Sequence, residues 1–305
     1  MNKKWLTWSV FVELTEIYTA PLNIVWFVLG AAIAQYHYGV VNWINVLLCL
    51  IDVFIFDLAV NVSDNYYDYV HATDREGYAL HTNPLGRLKL PLKGVWWLGT
   101  ILYLISAIPG LVLVTRTGWP VLIFGLIGYT IGIFYTAGPW PLNAMPICEA
   151  VVALSISYLI QLTCVYVSIF GQRPFNFSVI ATTFTLCLPL TLIFFLVQLA
   201  NNTADLDEDI KNHRHTLAYF IGRGNAVSLM RVLLVLGSIW PLVNFFGHLA
   251  PWETLLSLLL LPVMWRGMQP FFAVQDKRKT YMSVIKSTSL FFLGYTLLFA
   301  AGVWL

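Results

Sequence analysis

Long apolar runs separated by short polar breaks set the pattern of this chain. Stretches free of Asp, Glu, Lys and Arg occupy residues 17–38, 95–115, 117–148, 150–172, 174–204, 232–250 and 287–305. An α-helix rises 1.5 Å per residue, so about 20 residues cross the ~30 Å hydrocarbon core of a bilayer. Cut at turn signals, these runs predict about nine helical spans. They fall at residues 20–36, 43–62, 95–114, 119–135, 146–170, 179–200, 229–246, 255–265 and 284–304. The eighth is short and carries Pro262, which predicts a tilted, kinked or partly interfacial segment.

Composition sharpens that picture. The 305 residues are 59% hydrophobic, 15% aromatic and 10% charged, with mean hydropathy +0.75, whereas soluble domains average about 25% charged residues. A water-soluble globule and a disordered chain are both excluded. Cys49, Cys148, Cys164 and Cys187 show no CxxC spacing and read as small packing residues rather than a disulfide or metal framework. The expected fold is all-α: a polytopic helical bundle forming one domain over residues 1–305, resident in the cell membrane, with the lipid bilayer and no nucleic acid as partner.

The 17 Lys and Arg residues suggest an orientation, because basic residues gather in cytoplasmic loops. Lys3 and Lys4 precede the first span; Arg75, Arg87, Lys89 and Lys93 follow the second; Lys211, Arg214 and Arg223 follow the sixth; Arg266, Lys277, Arg278 and Lys279 follow the eighth. The alternate loops hold only Arg116 and Arg173. A cytoplasmic N-terminus and an external C-terminus are expected, which agrees with an odd number of spans.

Carboxylates are costly near a membrane interior, so their placement is informative. Most of the 15 fall in two runs. If the second span continues as a helix, Asp57, Asn61, Asp64 and Asp68 stack on one face at steps of three and four. Asp52 lies off that face and reads as a hydrogen-bonded packing residue. At the end of the sixth span, Gln198, Asn201 or Asn202, Asp205 and Asp209 share a face in the same way. Two such stripes on one membrane side can face each other. Stacked like charges repel, which calls for cations, and oxygen-only donors suit Mg²⁺ bridging carboxylates to phosphates. Arg75, Arg87, Lys89 and Lys93 follow the first run, and Lys211, Arg214 and His215 the second; they can neutralise phosphate oxygens. Metal plus a diphosphate is the implied occupant.

These residues resemble the UbiA superfamily of intramembrane prenyltransferases, with an NDxxDxxxD-like first motif and a DxxxDxxxD-like second one. The stretch NVSDNYYDYVHATD, with Asp68 and Asp74 matching, is similar to the branch that prenylates 1,4-dihydroxy-2-naphthoate on the way to menaquinone. NNTADLDEDIKNHRHTLA matches the second motif at Asn201, Asp205 and Asp209, with Arg214 in the place of a Lys and His213 in that of a Gly. FYTAGPWPL at 134–142, with Glu149 further on, resembles the branch's YTxGPxPL…GE segment. Asp64-Asn65 inverts the usual Asn-Asp, and Glu16, with Pro21 and Asn23, stands where an Arg-Pro pair is common.

The resemblance implies Mg²⁺ held by Asp64, Asp68, Asp74, Asp205 and Asp209, with Asp68, Asp205 and Asp209 catalytic. Tyr135 is the candidate to face an allylic carbocation with its ring, its other reading being an interfacial aromatic. Asn61, Asn65, Asn201, Lys211, Arg214, Arg87, Lys89 and Glu149 are the expected substrate-binding residues. The implied substrates are a polyprenyl diphosphate and an aromatic acceptor. Competing acceptors within the superfamily are 4-hydroxybenzoate, homogentisate and haem- or chlorophyllide-type rings. An ion-coupled carrier is the rival from another class, but such carriers place their acids near the midplane at broken helices. A scaffold that has lost activity is the third reading, kept open by the Asp64-Asn65 inversion.

Overall fold

The computed structural model describes residues 5–305, and among them all regular structure is helical. Lys3 and Lys4, part of the orientation argument, lie outside the described residues. Each of the nine apolar runs is helical. We label the helices α1 (Trp8–Thr15), α2 (Leu22–Tyr38), α3 (Trp43–His71), α4 (Leu92–Thr117), α5 (Trp119–Phe134), α6 (Cys148–Ile169), α7 (Phe177–Ala204), α8 (Leu206–Lys211), α9 (Leu217–Phe246), α10 (Trp252–Ala273) and α11 (Tyr281–Trp304). Seven of these, α3, α4, α6, α7, α9, α10 and α11, are long and apolar enough to cross a membrane; α2 and α5 are shorter, at 17 and 16 residues. On α4, Leu104, Ile108 and Leu111 are each 60% exposed or more. An apolar stripe at this helical spacing is suited to lipid, not to water. The chain is thus a multi-pass membrane protein.

The eighth run is the irregular one, as expected. α10 winds as a 3₁₀-helix over Trp252–Leu259 before becoming α-helical from Leu260. Pro262 sits at this 3₁₀-to-α junction, where it supplies no N–H to the helical ladder. α6 contains a π-helical turn at Ser155–Leu159. α9 is broken at Gly222, whose φ of 73° lies in the left-handed region that glycine enters without a Cβ penalty.

Two compact units make up the chain. The first comprises residues up to Ile24, Leu47–Ala144 and Lys211–Arg214. Its core joins Leu14 of α1, Val62 of α3, Leu85 of the helical turn Pro84–Arg87 and Val95 of α4, with Trp5, Tyr66, Tyr69 and Leu98 packed against them. Gly132 of α5 lets the helices approach: a Cβ there would lie 2.4 Å from Phe56 Cζ and 2.9 Å from Val60 Cγ2 of α3. The second unit comprises Val25–Val46, Met145–Ile210 and His215–Leu305. Its centre is Trp26, fully buried and edge-on to Phe194 of α7 and Phe292 of α11. Gly237 of α9 rests on Ile193 and the Pro189 carbonyl of α7. All four cysteines are free and buried, as packing residues should be.

Candidate active site

In the first unit the acidic stripe is real, because α3 continues past the apolar run to His71. Asp68 is its hub. Tyr78 Oη donates to Asp68 Oδ2 at 3.2 Å and Asn143 Nδ2 to Oδ1 at 3.4 Å. Arg214 Nη1 lies 3.7 Å from Oδ2, with both side chains about a quarter exposed or less, so the pair is partly shielded from water. Arg214 Nη2 also donates to the Asn143 carbonyl at 3.4 Å. Burial, and next the Asp68 charge, pushes the Tyr78 phenol well above its ordinary pKa, which keeps it a proton donor at neutral pH. One turn earlier on α3, Asp64 buries an Oδ1 that has no hydrogen-bond partner.

The neighbouring residues hold the backbone around this hub. Helix C-termini leave carbonyls unpaired, and those of α1 are met by α3: Asn61 Nδ2 donates to Thr15 O at 3.0 Å and Asn65 Nδ2 to Leu14 O at 3.3 Å. Both amides therefore face α1, while Asp64 and Asp68 keep their carboxylates for other work. Asn83 Nδ2 donates to Asn65 O, and Asn83 Oδ1 caps the turn Pro84–Arg87 through Leu85 N. Asp74 Oδ1 closes a turn on Gly77 N at 2.8 Å. The N–H groups of Thr73 and Asp74 donate to Asn212 Oδ1, and Thr73 Oγ1 to Lys211 O at 2.7 Å. Residues 211–214, which follow the second acidic run, are thereby fixed to the loop that follows the first.

Several basic residues have other engagements. Arg75 donates to the Tyr69 and Val70 carbonyls, capping α3, and Arg87 pairs with Glu13. Lys89 is exposed on a left-handed backbone position with φ 51°, and the Lys211 side chain is exposed. Tyr135, half-buried at the end of α5, accepts Asn143 N at its carbonyl, 2.8 Å. Deeper in the unit, Asp57 accepts from Asn23 at 3.1 Å, and Asp52 from Tyr129 at 3.2 Å, the hydrogen-bonded packing role expected of it.

In the second unit the sequence left two asparagines open, and the structure separates them. Asn201 Oδ1 and Asp205 Oδ2 each accept from Lys277 Nζ at 2.5 Å. Asn202 turns inward and donates to Oε1 of the fully buried Glu149 at 2.9 Å. Asp209 is buried on α8, while Asp207 is 77% exposed and pairs with Arg223 at 2.9 Å.

Among the described residues no three His, Cys, Asp or Glu side chains gather into a group that can hold a metal. Within each unit one motif carboxylate is met by a basic side chain instead, Asp68 by Arg214 and Asp205 by Lys277. The donors nonetheless suit a hard cation: they are carboxylate and amide oxygens, and Asp64 Oδ1 is buried without a donor. Sequence reasoning missed four contributors, Tyr78, Asn143, Asn212 and Lys277. Asn143 directly follows the quoted FYTAGPWPL segment, so a signal existed; Tyr78 and Asn212 carried none, and Lys277 was only one of several basic loop residues.

The model of the UbiA prenyltransferase family matches residues 24–303. A relative, the 1,4-dihydroxy-2-naphthoate octaprenyltransferase of Bacillus subtilis (strain 168), is 26% identical over 252 residues, covering 80% of this chain and 76% of its own. The apo structure of a UbiA homolog from Aeropyrum pernix K1 superposes with TM-score 0.67 at 13% identity, covering 94% of this chain and 97% of that one. A UbiA homolog from Archaeoglobus fulgidus bound to GPP and Mg²⁺ gives TM-score 0.62 at 13% identity, covering 95% and 99%. At such identities these structures establish a common fold.

Proposed function

The chain belongs to the UbiA prenyltransferase family, and we propose that within it the protein transfers a polyprenyl group from its diphosphate to 1,4-dihydroxy-2-naphthoate, with loss of the ring carboxylate. The observation that carries this reading is the hub at Asp68. The tail of the second acidic run supplies Arg214 to a carboxylate of the first, so residues of both motifs meet at one point of the first unit. That is the arrangement a diphosphate needs, with anionic and cationic groups side by side.

An allylic diphosphate ionises when charge on the departing pyrophosphate is stabilised. Arg214 offers a planar fork of donors for phosphate oxygens. Tyr78, kept protonated, orients the Asp68 carboxylate by donating to it. Within the first unit Asp64 and Asp68, and within the second Asn201, Asp205 and Asp209, are the residues that would hold Mg²⁺, whose contribution when bound is charge neutralisation on the leaving group. The apolar helices shield the allylic cation from water, and Tyr135 offers it a ring face. Glu149 is the candidate to orient the acceptor phenol.

The acceptor rests on the Bacillus relative and on the residues shared with that branch. A radiolabelled polyprenyl diphosphate offered with each ring acid in turn tests it, the products being separated by thin-layer chromatography. Label is expected in a decarboxylated naphthoquinol. Incorporation into 4-hydroxybenzoate and none into the naphthoate would overturn the branch while leaving the prenyl transfer intact.

A further inference from the structure

Lys277 lies on the turn between α10 and α11, and that turn is built rather than loose. Asp276 Oδ1 accepts the N–H groups of both Arg278 and Lys279 at 2.9 Å, Thr280 Oγ1 donates to Val274 O at 2.6 Å, and the Asp276 N–H donates to Thr280 Oγ1 at 3.1 Å. From this fixed base the ammonium reaches Asn201 Oδ1 and Asp205 Oδ2, each at 2.5 Å, and lies 4.8 Å from the centre of the Tyr281 ring. Two oxygens and an aromatic face thus surround one positive charge, all within the second unit. The two oxygens belong to motif residues one helical turn apart, the pair that the function proposed above gives to a divalent ion.

We propose that Lys277 is a tethered counter-cation that competes with the divalent ion for the Asn201–Asp205 seat. This rests on the function proposed above. An ammonium and a hard divalent ion both seek oxygen donors, and the seat holds one cation at a time. With the Lys277 side chain 41% and Asp205 29% exposed, the ammonium can leave without repacking a core. A lysine suits such a part better than an arginine, being a compact charge on a flexible stem with no planar fork to lock it. The device keeps Asp205 neutralised before the ion arrives, and it lowers the affinity of the bare site for metal. Once displaced, the ammonium is a free positive charge beside the ion, available to an incoming phosphate oxygen.

The test measures Mn²⁺ binding to the full-length protein in lipid nanodiscs, reading free Mn²⁺ by electron paramagnetic resonance. Lys277→Gln is expected to tighten Mn²⁺ binding by about fivefold, the weight of a half-exposed ion pair. Lys279→Gln, which removes the same charge two residues on from a side chain that is 81% exposed and pairs with Asp276, is expected to leave it unchanged. In the unmodified protein, Mn²⁺ is expected to raise acylation of Lys277 relative to Lys279, read by peptide mass spectrometry. Equal Mn²⁺ affinity in the Lys277→Gln and unmodified proteins, or acylation of Lys277 indifferent to Mn²⁺, would overturn the proposal. The same is true of an equal gain from Lys279→Gln, which would mark a general charge effect. The functional reading is judged separately by Asp205→Asn: if that variant binds Mn²⁺ as the unmodified protein does, the metal role of the second motif fails, and this proposal with it.

Discussion

Asp68 concentrates more of the chemistry than any other side chain, with Tyr78, Asn143 and Arg214 all directed at it. Replacing it by Asn keeps the volume and removes the charge. Turnover in the Asp68→Asn protein is expected to fall by at least about a hundredfold, the usual loss when one electrostatic group at a leaving group is removed. Tyr78→Phe is milder. It deletes one hydrogen bond to a charged group, so kcat/KM should drop by about tenfold, with the thermal midpoint little changed. A drop in both together would mark Tyr78 as a structural prop. Arg223 and Asp207 provide the contrast: their pair is largely solvated, and Arg223→Ala should change stability by less than ~1 kcal/mol. At this scale the sequence was a partial guide. Asp64, Asp68 and Asp205 were legible because helical spacing stacks them, whereas Tyr78 reaches Asp68 through a loop whose path depends on Asn83, Gly86 and the carbonyl of Asn65.

Gly86 shows what that loop requires of its backbone. A Cβ there would lie 1.9 Å from the Ala79 carbonyl oxygen, a contact that no side-chain rotation relieves. Gly86→Ala should destabilise the protein by about 1–3 kcal/mol and lower activity through Tyr78, one residue from Ala79. Measured thermal shifts and initial rates check both; an unchanged melting midpoint would show that the turn is more pliable than its contacts indicate. Helix existence was legible throughout, because each apolar run is long relative to the bilayer and little else can satisfy its backbone. Boundaries were less so. α9 begins at Leu217, well before the expected start at 229, a start that hydropathy set late because Gly222, Arg223, Gly224 and Asn225 interrupt the apolar run. The π-turn in α6 leaves no trace in hydropathy, since it changes hydrogen bonding and not side-chain type.

Across the whole molecule, the charge distribution predicts sidedness: the loops bearing Arg87, Lys211 and Lys277 in the cytoplasm, and those bearing Arg116 and Arg173 outside. The native cysteines are buried, so introduced ones can report. In intact cells a membrane-impermeant maleimide should label Arg116→Cys at once and Lys279→Cys only after permeabilisation; the reverse order would invert the topology. What sequence could not supply at this scale was the assignment of residues 211–214 to the first unit, which follows from contacts distant in the chain such as Arg214 with Asp68. The function proposed for the protein requires that both acidic runs serve one metal-dependent transfer. The decisive measurement is pyrophosphate release by the nanodisc-embedded protein given a polyprenyl diphosphate and 1,4-dihydroxy-2-naphthoate. We expect release that matches prenylated product one for one, requires Mg²⁺, and disappears in Asp68→Asn and in Asp205→Asn alike; full release in either variant, or release indifferent to chelation of the metal, would contradict it.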